Sequence, residues 1–446
     1  MKKCLAPIVL ATGVSLIALD VSAQSFSSVD PRSMAMGGVG VAVSRPDTAT
    51  YFNPALLSLP REDDDFALQI PYVGAKVYDP DDYEDSITEI EDAVDALDAT
   101  IDRLNNALNL SDFERLSTQT TDLNNALINI DEDLLLFDGG AGVAGGRPSE
   151  KLGIGVFVGG RLSFNGIFNY EDADDLTLLV QEADLVAGCI AVPATCTTVA
   201  NQLEMINITA GTPQAPINVT INYDPDNDLQ STADIRGILI TEAGISFSHY
   251  YNGFAIGVTP KYVKVETFDY QADVDDADTD DFDGSEWIET YSDFNLDLGI
   301  AKAINENVNV GLVIKNLIEQ DYDTVQKDIL SSSDYSSRGG AMTLSPQARA
   351  GISYQSDWWI VAADLDLTKN GGIGFEEDSQ QLSVGAEFDA LGFLQLRVGY
   401  KSDLEDSDRS NASAGIGIFF LGAHIDAAVA GNGDEMGGSF ELGFSF

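Results

Sequence analysis

From about residue 66 to Phe446, apolar side chains recur at every second position in one short run after another, and this rhythm constrains the fold more than any other feature. Phe440, Leu442, Phe444 and Phe446 alternate with Ser439, Glu441, Gly443 and Ser445. Ala414, Ile416, Ile418 and Phe420 do the same, as do Leu394, Leu396, Val398 and Tyr400. A period of two puts alternate side chains on opposite faces of a strand. The runs predict about fourteen strands of roughly ten residues, an even number as single-chain membrane barrels require. Their spans are 66–77, 133–146, 151–164, 235–250, 253–270, 290–303, 307–318, 345–355, 357–369, 379–389, 393–402, 411–421, 422–430 and 436–446. Short turns at Pro148-Ser149-Glu150, Tyr251-Asn252, Asn305-Glu306, Ser356 and Leu391-Gly392 alternate with long polar insertions at 78–132, 165–234, 271–289, 319–344 and 370–378. The expected fold is therefore all-β, an antiparallel up-and-down transmembrane β-barrel with its short turns facing the periplasm. A secreted β-sandwich also alternates, but it has no reason to collect its long loops at one end. Pro260 predicts a bulge or kink, and the apolar parity is ambiguous between Tyr262 and Val265.

The two faces carry different chemistry. The outward set is almost purely Leu, Ile, Val, Phe and Ala, because lipid cannot satisfy a charge. The inward set carries Arg161, Glu242, Asp297, Lys315, Arg349, Asp364, Asp366, Glu387, Arg397, Asp426 and Glu441. Both signs are present, which suits a lumen of paired side chains as well as a wet channel. The many inward glycines favour the close approach of another segment, which points to a plug.

Ahead of the strands, Lys2 and Lys3 precede an apolar run from Leu5 to Leu19 that Val21-Ser22-Ala23 closes. This is the pattern of a signal peptide over residues 1–23, so the exported chain is expected to begin at Gln24. The run is too short to span a membrane, and Cys4 lies ahead of it, where no lipid would be attached. Export leaves Cys189 and Cys196, with six residues between them in one polar stretch, which are expected to form a disulfide in an oxidising compartment. A formal charge of -50 leaves no room for a basic patch, so nucleic acid is excluded as a partner. Only two His and three Cys remove most metalloenzyme and thiol-enzyme readings. His424 would face the lumen beside Asp426, but no G-x-S-x-G run occurs, and no catalytic residue is assigned.

Residues 26–59 contain Met36-Gly37-Gly38-Val39-Gly40-Val41-Ala42 and then Phe52-Asn53-Pro54-Ala55-Leu56-Leu57. The glycine run lacks the Lys-Ser/Thr and the βαβ setting of a phosphate loop. These two runs, with the C-terminal Phe, resemble FadL-type outer-membrane barrels, which fold an N-terminal hatch into a fourteen-strand barrel. A closer resemblance is to TraF-type conjugal-transfer proteins of that barrel type. It rests on Asp63-Asp64-Asp65-Phe66 leading into Ile70-Pro71-Tyr72-Val73-Gly74-Ala75, then Asp79-Pro80-Asp81-Asp82 and a helical insertion. The resemblance implies a hatch over 24–60, with Gly37, Gly38 and Gly40 in its glycine run and Asn53-Pro54 at its tight turn, and a barrel over 61–446. It excludes the thioredoxin-like protein of the same name, because no C-x-x-C occurs. The chain departs from fatty-acid transporters in having acidic loops where those carry basic and apolar ones.

The first long loop, 78–132, holds 16 acids against two bases. Within it Ile87, Ile90, Val94, Leu97, Ile101, Leu104 and Leu108 recur at helical spacing. After Ser111-Asp112-Phe113-Glu114, read as a capping box, Phe113, Leu116, Thr120, Leu123, Leu127 and Ile130 repeat it. Two amphipathic helices over 84–131 are expected to pack as an antiparallel hairpin, either an inert cap or a docking surface for an envelope protein. Asp273, Asp275, Asp276, Asp278, Asp280, Asp281 and Asp283 crowd another loop, and Asp224, Asp226 and Asp228 a third. No complete calcium loop is present, so no cofactor is expected, with loop-bound Ca²⁺ as the alternative. Two functions remain: an envelope docking or structural component of plasmid transfer, as the TraF-type resemblance implies, or a hatch-gated diffusion channel for small or hydrophobic molecules.

Overall fold

The computed structural model describes residues 29–60, 66–80, 83–192, 195–210, 217–273, 287–326, 335–336 and 339–446. The expected signal peptide, hatch residues 24–28, Asp63-Asp64-Asp65 and the acidic run Asp275–Asp283 lie outside the described residues. Fourteen long strands form the wall: β1 Ala67–Tyr78, β2 Leu134–Arg147, β3 Gly153–Asn169, β4 Thr232–Tyr251, β5 Phe254–Asp273, β6 Ile288–Ala303, β7 Val308–Lys315, β8 Gln347–Gln355, β9 Trp359–Asp366, β10 Gln381–Ala390, β11 Leu394–Asp403, β12 Asn411–Phe420, β13 Ala423–Gly431 and β14 Glu435–Ser445. Each pairs antiparallel with its sequence neighbours, and β1 also pairs with β14 from Ala67↔Ser445 to Tyr78↔Glu435, so the sheet closes. Closure removes the two edges whose unpaired backbone groups lipid could not satisfy. The alternation read from the sequence is the alternation of the wall. Leu396, Ile416, Phe440 and Leu442 are exposed on its outer face, while Glu387, Arg397, Asp426 and Glu441 are buried inside.

The short turns follow from the twist of the strands they join. Asn252-Gly253, Leu391-Gly392 and Leu421-Gly422 all have positive φ at both residues, the conformation that matches right-handed strand twist in a two-residue hairpin. Pro260 does not produce the predicted bulge. Pairs Gly244↔Lys261 and Phe247↔Val258 keep one register across it, so the ladder is interrupted with no inserted residue. Proline has no N–H to give, and its side chain lies on the outer face, where nothing else must move. The irregularity with a true register shift is in β1, between Gln69 and Tyr72, where Ile70 and Pro71 both face outward.

At the long-loop end the insertions fold into two structures. The first is a cap. Helices α3 Tyr83–Asn106 and α4 Leu110–Asn129 lie together as the heptad-like spacing predicts. A third helix from the next loop, α5 Ala173–Ala191, and a two-stranded ribbon, Ile206–Ala210 with Ile217–Ile221, complete their core. Leu97, Leu104, Phe113, Leu116, Leu123 and Leu127 are buried against Leu176, Leu179, Val186, Ile206 and Ile221. From Ile90 to Leu104 the seam of α3 is therefore closed within the chain, while Ile87 and Leu108 at its two ends stay exposed, and the insertion is not a free-standing hairpin. Nor does Ser111 cap α4. The cap is Asn109, whose side chain accepts from the Ser111 N–H at 3.1 Å, so the helix begins one residue before Ser111. Cys189 and Cys196 are bonded, tying the end of α5 to the short helix Cys196–Val199.

The second structure turns inward. The ribbon Gln320–Asp323 with Ala341–Leu344 and the loop around Ile373 enter the barrel mouth. Their Tyr322, Met342, Leu344 and Ile373 pack on Ile238, Ile240, Val263 and Val265 of the wall. This explains the ambiguous parity near Val265: Val263 and Val265 face inward, and the inturned loops cover them.

Candidate functional site

Residues 29–59 fill the short-turn half of the barrel, and the local sequence shapes them to do so. Helix α1, Pro31–Ala35, starts on Asp30, whose carboxylate accepts from the Ser33 N–H at 2.7 Å. Gly37 and Gly38, at φ 72° and 97°, then reverse the chain. Helix α2, Ala49–Phe52, leads to Asn53, which caps the following 3-10 turn Pro54–Ser58 through the Ala55 N–H at 3.1 Å. The Asn53 amide also donates to the Val41 carbonyl at 2.9 Å, joining the two halves of the segment.

The segment docks by backbone contact as well as by charge. Inward glycines of the wall give it room: a Cβ on Gly385 would stand 2.6 Å from Met36 Cβ and 2.8 Å from its carbonyl carbon. Gly299 and Gly311 likewise lie under Asn53 and Val41. The Gly40 and Val41 N–H groups both donate to one oxygen of Asp364, at 2.7 and 2.9 Å. The glycine run that resembles a phosphate loop thus presents its amides to a carboxylate of the wall.

Most of the inward charges join into ion-pair clusters. In the largest, Arg32 pairs with Glu387 at 2.8 Å, Glu387 with Arg397 at 2.6 Å, Arg397 with Asp426, Asp426 with Arg45 at 3.1 Å, and Arg45 with Glu441. Cation and anion alternate, with two of the three arginines coming from the hatch segment. Burial opposes the Arg45 charge, but Glu441 and Asp426 outweigh it and raise its pKa well above the ordinary value. A second cluster holds Arg349 on Asp366 at 2.5 Å, with the Gly38 carbonyl accepting from Arg349 at 3.4 Å. In the third, Lys261 bridges Glu242 at 2.8 Å and Asp297 at 2.9 Å. Arg161 and Lys315 line a cavity of about 90 Å³ with Glu242, Tyr51, Tyr72, Phe157 and Gln347.

Arg32 and Arg45 escaped the sequence reading because strand parity has no bearing on the hatch, although they are the two basic residues between 24 and 60. Lys261 escaped it because it lies between Pro260, read as a bulge or kink, and the stretch of ambiguous parity that begins at Tyr262. His424 lies within the largest cluster, stacked on Phe419, whereas His249 donates its Nδ1–H to the Lys151 carbonyl on the short-turn rim.

Sequence and structure comparisons place this chain among known proteins. The family model described as the F plasmid transfer operon, TraF, protein matches residues 50–366. No curated protein matches the sequence. Among solved structures, the Ralstonia pickettii toluene transporter TbuX superposes with a TM-score of 0.50 at 12% identity, covering 93% of this chain and 98% of its own. The P. putida toluene transporter TodX gives 0.47 at 11%, covering 93% and 98%. A Pseudomonas aeruginosa FadL homologue gives 0.42 at 10%, covering 96% and 99%. At such identity the likeness to TbuX is one of fold.

Proposed function

Since the chain belongs to the family of the F plasmid transfer operon protein TraF, we propose that it is an outer-membrane docking component of a plasmid-transfer assembly, a plugged barrel that carries an acidic cap. The filled lumen carries this reading. Among the described residues, hatch side chains Val29, Tyr51 and Phe52 and the wall enclose the Arg161 and Lys315 cavity, whose volume of about 90 Å³ is far below that of an aqueous channel. The cap, by contrast, has its own hydrophobic core and is not needed to close the wall. Helix α3 carries eight acids and one base, so a partner surface would be basic. Because the cap core uses the apolar seam, a partner would meet the polar outer face and not the seam. With the signal peptide expected over 1–23, the short turns would face the periplasm and the cap the outside.

A second reading, a hatch-gated channel, has one specific support. The inner cavity and an apolar groove on the lipid-facing wall share Gly140, Gly159 and Gly160, where the wall has no side chain of its own and Val29 and Tyr72 cover it from inside. The two readings part on a pair of deletions. Removing 83–130 together with 173–229 should leave a heat-modifiable barrel and abolish plasmid transfer if docking is the function. Transfer that survives this deletion, combined with solute flux through liposomes carrying the native protein, would refute docking in favour of the channel.

A further inference from the structure

The largest ion-pair cluster contains a group that its pairing does not use. His424 is buried on β13, and neither ring nitrogen makes a hydrogen bond. Its Nε2 stands 3.2 Å from Glu441 Oε1 and 3.8 Å from Asp426 Oδ2. One ligand atom from each of the three residues falls within 4.8 Å of the other two. The site is built into the wall: a Cβ on Gly443 would overlap the imidazole, and one on Gly417 would overlap the Asp426 carboxylate. Both glycines face inward on strands that flank β13.

We propose that His424, Asp426 and Glu441 form a binding site for a divalent transition metal of the zinc class, occupied in exchange for the Arg45 guanidinium. One imidazole and two carboxylates are a normal zinc donor set, with a fourth position left for solvent. The imidazole disfavours Ca²⁺ and Mg²⁺, which take oxygen ligands. Charge favours a guest cation as well. Arg32, Arg45 and Arg397 face Glu387, Asp426, Glu441 and Asp47, so carboxylates outnumber guanidiniums. Arg45 is the member that can leave. Its side chain retains 11% exposure while His424, Asp426 and Glu441 retain none. It also belongs to the hatch, so metal entry would sever the Arg45 link between hatch and wall, whether the barrel docks a partner or conducts a solute.

Co²⁺ is the probe, titrated into the full-length native protein in detergent and read by its visible absorption, which reports nitrogen and oxygen ligation directly. One equivalent is expected to bind to the native protein. Arg45→Gln should bind it more tightly, because the competing guanidinium is gone, and His424→Ala should lose the absorption. Heat-modifiability on gels establishes that each variant is folded. Arg45→Gln should also unfold at a lower temperature than the native protein, with Zn²⁺ restoring the loss. Absence of binding to the native protein, or binding confined to Arg45→Gln, would overturn the exchange. Absorption that persists in His424→Ala would overturn the ligand assignment.

Discussion

Replacing Gly385 with Ala tests whether the hatch is held by direct backbone contact with the wall. Gly385 faces inward on β10, opposite Gly399 on β11, and both lie under the Met36-Gly37 backbone. The added methyl would stand 2.6 Å from Met36 Cβ. Carbon atoms settle at about 3.5 Å or more, so one partner must move by about 0.9 Å. The neighbour is largely backbone, pinned by the Gly37 N–H bond to Ser413 and the two amides on Asp364. A flexible side chain could yield more cheaply. We therefore expect a cost of about 2 to 3 kcal/mol, the upper part of the range for overpacked cores. Gly438→Ala is the control: it faces lipid on the same barrel, with its nearest neighbour at 3.7 Å. Urea unfolding in lipid vesicles gives the stabilities, and protease cleavage within residues 29–59 reports whether the hatch has lifted. Equal stability and equal protection for the two variants would refute backbone docking.

Three further outcomes follow from the packing. Glu387→Gln leaves Arg32 and Arg397 facing each other in a buried site, and should cost about 3 to 5 kcal/mol; the hatch should become protease-sensitive in the same urea and cleavage assays. Leu116→Ala, at a fully buried position of the cap, should destabilise the cap by about 2 to 5 kcal/mol; circular dichroism should show the helices melting earlier while gel migration of the unboiled barrel stays unchanged. Cys189→Ser opens a loop of six intervening residues, costing about 2 to 3 kcal/mol of cap stability in the loop-entropy account. Intact mass of the native protein should be two hydrogens below its reduced form, and full labelling by a thiol reagent without reductant would contradict the bond.

Part of the fold follows from hydrophobic period alone. Phe440, Leu442 and Phe444 must share one face of β14, and a face that apolar can only meet lipid or a core. Strand number, parity and the one-sided long loops all descend from that rule. So do the inward carboxylates, because any residue between two outward ones points the other way. Tertiary structure decided what those inward residues meet. No periodicity brings Arg32 to Glu387 across 355 positions of chain, since the contact exists only once the hatch is inside the barrel. Val263 and Val265 broke the polar-inward pattern for the same reason, because Tyr322, Met342, Leu344 and Ile373 cover them. The seam of α3 and α4 was legible as apolar, but its partner was not. Burial demands that an apolar face be covered without specifying by what, and here α5 and the ribbon, from the following loop, were close enough to do it.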